Sequence, residues 1–143
     1  MREAIFFVSK TCSVKEIQDR FSTLFSFLKI NFFKIGKPGP GVSGSRVILF
    51  SPELLLKEIN PGMTDGELTI RESMTVLELE NYLYEEFGLS AQILRKSGNL
   101  WLDTSRTNAW TLKEQDDHGR EISPEQIKNT GIVRETGIRR NLG

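Results

Sequence analysis

The chain has 143 residues, of which 38% are hydrophobic and 27% are charged, and its net charge is zero. These values are typical of one soluble globular domain, and they exclude the overall basicity of a dedicated nucleic-acid binder. A single cysteine, Cys12, excludes an intramolecular disulfide, and no apolar run approaches the ~20 residues of a membrane span. We therefore expect a cytoplasmic protein that does not enter a membrane.

The first part of the chain predicts a strand, a helix and a second strand. Ala4–Val8 is a short apolar run rich in aromatic residues, which is typical of a buried strand. Ser13 and Glu16 form a capping box, in which both side chains satisfy backbone amides at a helix start. Apolar residues then repeat at helical spacing as far as Phe25, and Leu28–Phe33 alternates as a strand.

Residues 36–64 are predicted to be an insertion that follows this first unit. Gly36–Ser45 has the composition of a loop, since its prolines lack backbone donors and its glycines favour a flexible backbone. Arg46–Phe50 is predicted to form a further strand. Ser51, with proline directly after it, then predicts the start of a short helix that ends at Ile59.

A second strand, helix and strand follow the insertion. Glu67–Arg71 predicts the first strand of this unit, and Thr75 with Glu78 forms another capping box. The helix is expected to end at Gly88, because glycine readily takes the left-handed conformation that closes a helix. Ser90–Lys96 then predicts the returning strand.

The remaining elements are a hairpin strand, a short helix and a tail. Asn99–Asp103 is predicted to pair with the preceding strand through a tight turn at Ser97-Gly98. Thr111 is expected to cap a third short helix that ends near Gly119. We therefore predict one domain over residues 1–127 and a flexible basic tail over residues 128–143.

The two units resemble each other at an offset of 62 residues, which aligns Glu3–Lys34 with Asp65–Lys96. Two βαβ units in series have the chain order of a ferredoxin-like sandwich, an α+β fold with two helices on one face of an antiparallel sheet. The hairpin strand and the last short helix would be additions to it. The alternative is a β-grasp-like sheet formed mainly by residues 46–104. The alignment leaves one register open, because a shift of one residue would match Leu28 with Ala91.

The hairpin predicts a candidate binding surface. A turn at Ser97-Gly98 would place Leu94 opposite Trp101 on one face, with Gln92, Asp103 and Lys96 as a polar rim. If the other face meets the helices, this face is exposed, and exposed aromatic residues are common anchors of protein interfaces. The alternative is that Trp110 or the last helix covers it.

The sequence contains no catalytic or metal-binding pattern. Cys12 and His118 are single residues far apart in the chain, and Cys12 is expected to pack as a hydrophobic staple before the first helix. We therefore expect a protein that is not an enzyme and that holds no cofactor or metal. The alternative is an enzyme whose site gathers dispersed carboxylates and arginines, such as Arg95, Asp103 and Asp116.

Three segments resemble a group of short bacterial proteins that have no assigned activity. They read FSFLKINFFK, FGLSAQILRKSGNLWLDT and WTLKEQ. The resemblance implies no catalytic motif and no site residues.

These features together predict a small binding or assembly module. We expect an exposed sheet face or edge to hold a protein partner or a second copy of the chain. Nucleic acid is the less favoured alternative, because residues 51–92 carry two basic and nine acidic side chains. The predicted strands also lack the glycine-rich aromatic pattern of RNA-recognition sheets.

Overall fold

A computed structural model describes residues 1–41 and 43–123 of the chain, so the predicted tail at 128–143 lies outside the described residues. The strands in these ranges are β1 (Glu3–Val8), β2 (Leu28–Gly36), β3 (Arg46–Leu49), β4 (Gly66–Arg71), β5 (Ala91–Ser97) and β6 (Leu100–Asp103). The helices are α1 (Val14–Leu24), α2 (Leu56–Ile59), α3 (Val76–Phe87) and α4 (Leu112–Glu121), and a 3-10 turn spans Ser105–Thr107.

The helices and antiparallel strands confirm the predicted α+β class. β1 pairs antiparallel with β4, and a four-stranded antiparallel sheet has the order β3-β2-β5-β6. β6 therefore extends an edge of the sheet, as the hairpin predicted. A ferredoxin-like sandwich would hold the strands of both βαβ units in one sheet. The two separate hydrogen-bonded sets do not confirm that topology.

Capping boxes start the three longer helices at the predicted residues. The hydroxyls of Ser13, Thr75 and Thr111 each accept a hydrogen bond from the backbone N–H three residues later. α3 ends at Gly88, whose φ of 65° is left-handed, also as predicted. The start of α2 was predicted wrongly, because its N-cap is Leu55, whose backbone N–H is satisfied by the Glu58 carboxylate at 2.8 Å.

The strand pairings relate the two halves of the chain by an approximate two-fold symmetry. Phe6 pairs with Leu68, its counterpart at the offset of 62 residues. Ile30 pairs with Ile93, which is its counterpart once the alignment shifts by one residue. Each of these two ladders is therefore centred on a pair of equivalent residues. The shifted register is the one that matches Leu28 with Ala91.

Equivalent hydrogen bonds occur in both halves. Val14 N–H donates to the Leu54 carbonyl at 2.8 Å, and its counterpart in α3, Val76 N–H, donates to the Trp110 carbonyl at 3.1 Å. The first residues of α2 and α4 likewise both donate to the loop before a longer helix. Residues 36–64, predicted to be an insertion, thus contribute β3 and α2 in the places that β6 and α4 take in the second half.

The helices pack on one face of the four-stranded sheet. α1 contacts β2, while α3 and α4 contact β5. Because side chains alternate between the faces of a strand, alternate residues of β2 and β5 form the inner face. These are Leu28, Ile30, Phe32, Ala91 and Ile93, and all are buried. The opposite face, which we call the outer sheet face, is not covered by any helix of the described residues.

A residue of the short helix in each half forms a hydrogen bond with the other half. Asn60, at the end of α2, donates to the Phe87 carbonyl at 2.8 Å, at the end of α3. Asp116, in α4, accepts the backbone N–H of Phe27 at 2.8 Å, in the turn after α1. The ends of the two long helices are therefore fixed by residues from the opposite half.

Asp116 is also the buried centre of an ion cluster whose two arginines are partly exposed. Its Oδ2 accepts from the guanidinium groups of Arg2 at 2.7 Å and Arg120 at 3.1 Å. Arg2 donates a further hydrogen bond to Glu72 at 3.1 Å. Partial burial lowers the pKa of Arg2, but the hydrogen bonds to these two carboxylates outweigh it and raise the pKa overall. The cluster joins α4 to the strand that begins the chain.

Candidate functional site

The five residues predicted as a binding surface lie together on the outer sheet face. Gln92, Leu94 and Lys96 alternate along β5 on the side opposite the buried Ile93. Trp101 and Asp103 lie on the same side of β6, because residues paired across strands share a face. The sheet pairing therefore places all five side chains on one face.

The predicted register of the hairpin was wrong, because each residue of β5 pairs with the residue two positions further along the chain than predicted. Leu94 pairs with Asp103, and Trp101 pairs with Lys96. The cause is the turn, which consists of Gly98 and Asn99 rather than Ser97 and Gly98. Gly98 takes a φ of 61° as the first turn residue, a conformation that glycine adopts without strain.

Trp101 is an exposed aromatic residue between two lysines. Its side chain retains 37% exposure. The Nζ of Lys96 lies 5.3 Å from the ring centroid, and the Nζ of Lys29, which β2 brings to the same face, lies 5.7 Å from it. Gln92 donates to the Asp103 carboxylate at 3.3 Å, which forms part of the polar rim.

Trp110 does not cover this surface. Its ring meets His118 edge-on at 5.6 Å between centroids, and the Arg95 guanidinium lies 5.6 Å from it. Arg95 lies on the inner side of β5, since it pairs with the buried Leu28. Within the described residues, Trp101 therefore remains open to solvent.

A second apolar group lies at the other end of the outer sheet face. Phe33 pairs with Leu49, and Ile35 pairs with Val47, so all four side chains share this face. Ile35, Val47 and Leu49 are exposed. Ile35, Val47 and Leu49 were not among the predicted site residues, because the strand Arg46–Phe50 was placed in an insertion and its pairing with β2 was not predicted.

The edge strand β6 is apolar on both of its faces. Leu100 and Leu102 point to the side opposite Trp101, and all three are exposed, Leu100 to 65%. An exposed apolar strand at a sheet edge presents unpaired backbone groups to another chain. The sheet therefore offers both an exposed face and an exposed edge.

Glu80 is an ionisable residue close to this face. It extends from α3, and its Oε2 accepts the backbone N–H of Ile93 at 3.3 Å. The pKa of Glu80 is raised to about 6, mainly by burial. The N–H of Ile93 opposes this shift, and the charge of Asp103 adds to it. Glu80 consequently changes charge closer to neutrality than an ordinary glutamate.

We expect Glu80→Gln to make stability less dependent on pH. Because the folded-state pKa of about 6 exceeds the ordinary value of 4.5, the folded chain binds the proton more tightly than the unfolded chain. The contribution of Glu80 to the free energy of unfolding therefore falls as pH rises between these values. The difference in free energy of unfolding between variant and parent should therefore be more favourable to the variant above pH 6 than near pH 4.5. After allowance for solvent around this half-buried group, the change should be on the order of 1 kcal/mol.

Urea unfolding of both proteins at the two ends of this range measures the effect. Glu85→Gln, at an exposed position on the same helix, is the control and should show no such change. An equal difference between Glu80→Gln and the parent at both pH values would contradict the prediction.

The dispersed residues of the alternative enzyme site are not brought into one cleft. Arg95 donates to the Gln115 side chain at 2.7 Å on the inner side of the sheet. The carboxylate of Asp116 is occupied by its ion cluster, and Asp103 lies on the outer sheet face. Cys12 accepts the N–H of Ser9 at 3.4 Å in the loop before α1.

Within residues 1–41 and 43–123, no three or more His, Cys, Asp or Glu side chains are grouped so that they could hold a metal ion. None of the helices in the same ranges is both long enough and apolar enough to cross a membrane.

A further exposed region that was not predicted lies on β1. The strand itself was predicted, but its aromatic run indicated burial, whereas Ile5 is 61% and Phe7 is 59% exposed. Only Phe6 and Val8 of the run are buried. Side chains alternate between the two faces of a strand, but a run in which every residue is apolar does not show which side chains are exposed.

Comparison of the whole chain with known proteins finds no matching family model, no matching curated protein and no matching solved structure.

Proposed function

We propose that the protein is a small non-catalytic binding or assembly module that holds a protein partner, or a second copy of itself, on the outer sheet face. The observation that carries the proposal is the exposed Trp101 on a sheet face that the described helices leave uncovered. Tryptophan is the residue most often found to dominate the energy of protein interfaces.

The surroundings of Trp101 support this role. Lys29 and Lys96 hold their charged ends near the ring, while Gln92 and Asp103 are hydrogen-bonded to each other beside it. An aromatic centre with a polar rim is the common anatomy of a binding surface, because the rim excludes water from the centre in the complex. The rim also carries both signs of charge, which would select the orientation of a partner.

The edge strand favours self-association as one form of this binding. In the described part of the chain, β5 is the only strand paired with β6, and the three apolar side chains of β6 are exposed. Antiparallel pairing of β6 with its copy would satisfy the free backbone groups and bury Leu100 and Leu102 on both chains. The same contact would place the two Trp101 side chains on one continuous sheet face.

Trp101→Ala is expected to weaken association by about 2 kcal/mol or more, which is about thirtyfold in Kd. Sedimentation velocity over a range of chain concentrations measures self-association, and pull-down with tagged chain measures a partner. Trp110→Ala is the matched control, because Trp110 is 36% exposed and lies away from the outer sheet face. It should associate like the parent.

Unchanged association in Trp101→Ala would contradict the role of this face. A parent chain that stays monomeric at all concentrations and captures no partner would contradict the proposal as a whole. Thermal melting of each variant verifies that any loss of association is not a loss of folding.

Single-stranded nucleic acid is a second candidate, favoured by one observation. Trp101 lies between two lysines on an open sheet, and Phe33 lies on the same face. Aromatic rings that stack bases beside cations are the usual elements of a single-strand binding surface. Anisotropy of a labelled oligonucleotide should then fall with added salt and with Lys96→Glu. Binding that salt does not weaken would exclude this candidate.

A further inference from the structure

We propose that the chain also binds an extended peptide along the free edge of β1, in the groove between β1 and α1, and that the peptide carries an acidic side chain next to an aliphatic one. The groove has a volume of about 410 Å³. It is lined by Ala4–Phe6 of the strand and by Asp19, Arg20, Thr23 and Leu24 of the helix. It is distinct from the outer sheet face, because β1 belongs to the two-stranded set.

The backbone of β1 presents hydrogen-bonding groups to this groove. Among the strands of residues 1–41 and 43–123, only β4 pairs with β1. The N–H of Glu72 donates to the Arg2 carbonyl at 2.9 Å, which directs the backbone groups of Arg2 towards β4. Because successive residues of an antiparallel strand alternate in direction, the N–H and carbonyl groups of Glu3, Ile5 and Phe7 point away from β4. A peptide strand laid along this edge can pair with them.

The second half of the chain closes the equivalent edge with its own side chain. Tyr82 is the counterpart of Arg20 at the offset of 62 residues, and Glu67 is the counterpart of Ile5. The Tyr82 hydroxyl donates to the Glu67 carbonyl at 3.1 Å, and the ring stacks on Phe87 at 6.5 Å between centroids. Within the described residues, the chain therefore satisfies one carbonyl at the β4 edge with its own side chain and provides no such group at the equivalent β1 edge.

The positive charge of Arg20 in the groove indicates that the peptide carries an acidic side chain. The Arg20 guanidinium lies 5.0 Å from the Phe6 ring centroid and forms no ion pair with a described residue. The nearby Asp19 carboxylate is already paired with Lys15 at 2.7 Å. A carboxylate of the peptide would give Arg20 a charge-assisted hydrogen bond. An aliphatic side chain beside it would enter the cavity against Leu24.

The test uses the full chain and a display library of random peptides of about eight residues, a length that covers an ordinary strand. Peptides are selected on the parent chain and counter-selected on Arg20→Tyr, which copies Tyr82 into the first half. The recovered peptides should contain Asp or Glu next to an aliphatic residue. Their affinity should fall about tenfold or more in Arg20→Tyr and in Arg20→Glu, because the charged hydrogen bond is lost.

Lys57→Glu, at an exposed position on α2, is the charge-matched control and should bind the peptides like the parent. Amide exchange at Ile5 should slow in the complex, while exchange in β6 should not change. Arg20 is exposed, so both variants should melt with the parent. Failure to recover peptides, binding that survives both Arg20 variants, or protection of β6 in place of Ile5 would each overturn the proposal. Protection of Ile5 by self-association without peptide would also overturn it.

Discussion

Replacing Asp116 with alanine is expected to lower the free energy of unfolding by about 2 to 4 kcal/mol. The side chain is fully buried and accepts hydrogen bonds from Arg2, Arg120 and the backbone N–H of Phe27. Removing it leaves the two cations without their shared counter-ion and leaves a buried amide without a partner, and both are costly. Urea unfolding at neutral pH, followed by far-UV circular dichroism, measures the loss.

Asp117→Ala is the matched control for this prediction. Asp117 is the next residue of α4 and is also paired, with Lys113 at 2.6 Å and Arg120 at 3.0 Å, but these groups are partly exposed. Exposed ion pairs contribute little, so we expect a loss of about 1 kcal/mol or less. If both variants lost the same free energy of unfolding, the ion cluster around Asp116 would not stabilise the fold more than the exposed pairs of Asp117 do.

Phe21→Ala is expected to have an effect of similar size, about 3 to 5 kcal/mol. Phe21 lies in the middle of α1 with no exposed surface, and its ring lies 5.5 Å from that of Phe25. Alanine would leave a cavity between α1 and the sheet and would remove the ring contact. The cooperative thermal transition should therefore move to a clearly lower temperature.

Phe7→Ala provides the comparison for that variant. Phe7 has the same side chain but lies exposed on β1, so its removal should change the free energy of unfolding by less than about 1 kcal/mol. A large loss in Phe7→Ala would mean that β1 is covered in solution. A small loss in Phe21→Ala would mean that α1 does not pack as described.

Features that depend on neighbouring residues could be predicted from the sequence. The capping boxes at Ser13, Thr75 and Thr111 are local, because the residues that bond to each other lie three positions apart. The alternation of β5 is equally local, and it places Leu94 and Lys96 on one face with the hairpin partner Trp101. The α+β class and the candidate surface both follow from such patterns.

Features set by distant contacts could not be predicted in this way. α2 begins at Leu56, where the backbone N–H donates to the Cys12 carbonyl at 2.8 Å, rather than at the local signal of Ser51. Asp116 belongs to a charged helix end that resembles an exposed segment. It is buried because Arg2, which precedes it by 114 positions, completes the ion cluster. Neither contact can be predicted from the residues next to it in the sequence.

The crossed attachment of the two short helices has a consequence for how the chain must fold. Each half contributes one hydrogen bond to the turn after the long helix of the other half, since Asn60 donates to the Phe87 carbonyl and Asp116 accepts from the Phe27 N–H. The central strands also pair across the halves rather than within them. In a nascent first half, β1 therefore stays unpaired and β2 pairs only with β3 until the second half emerges, so the pairing that completes the core is long-range.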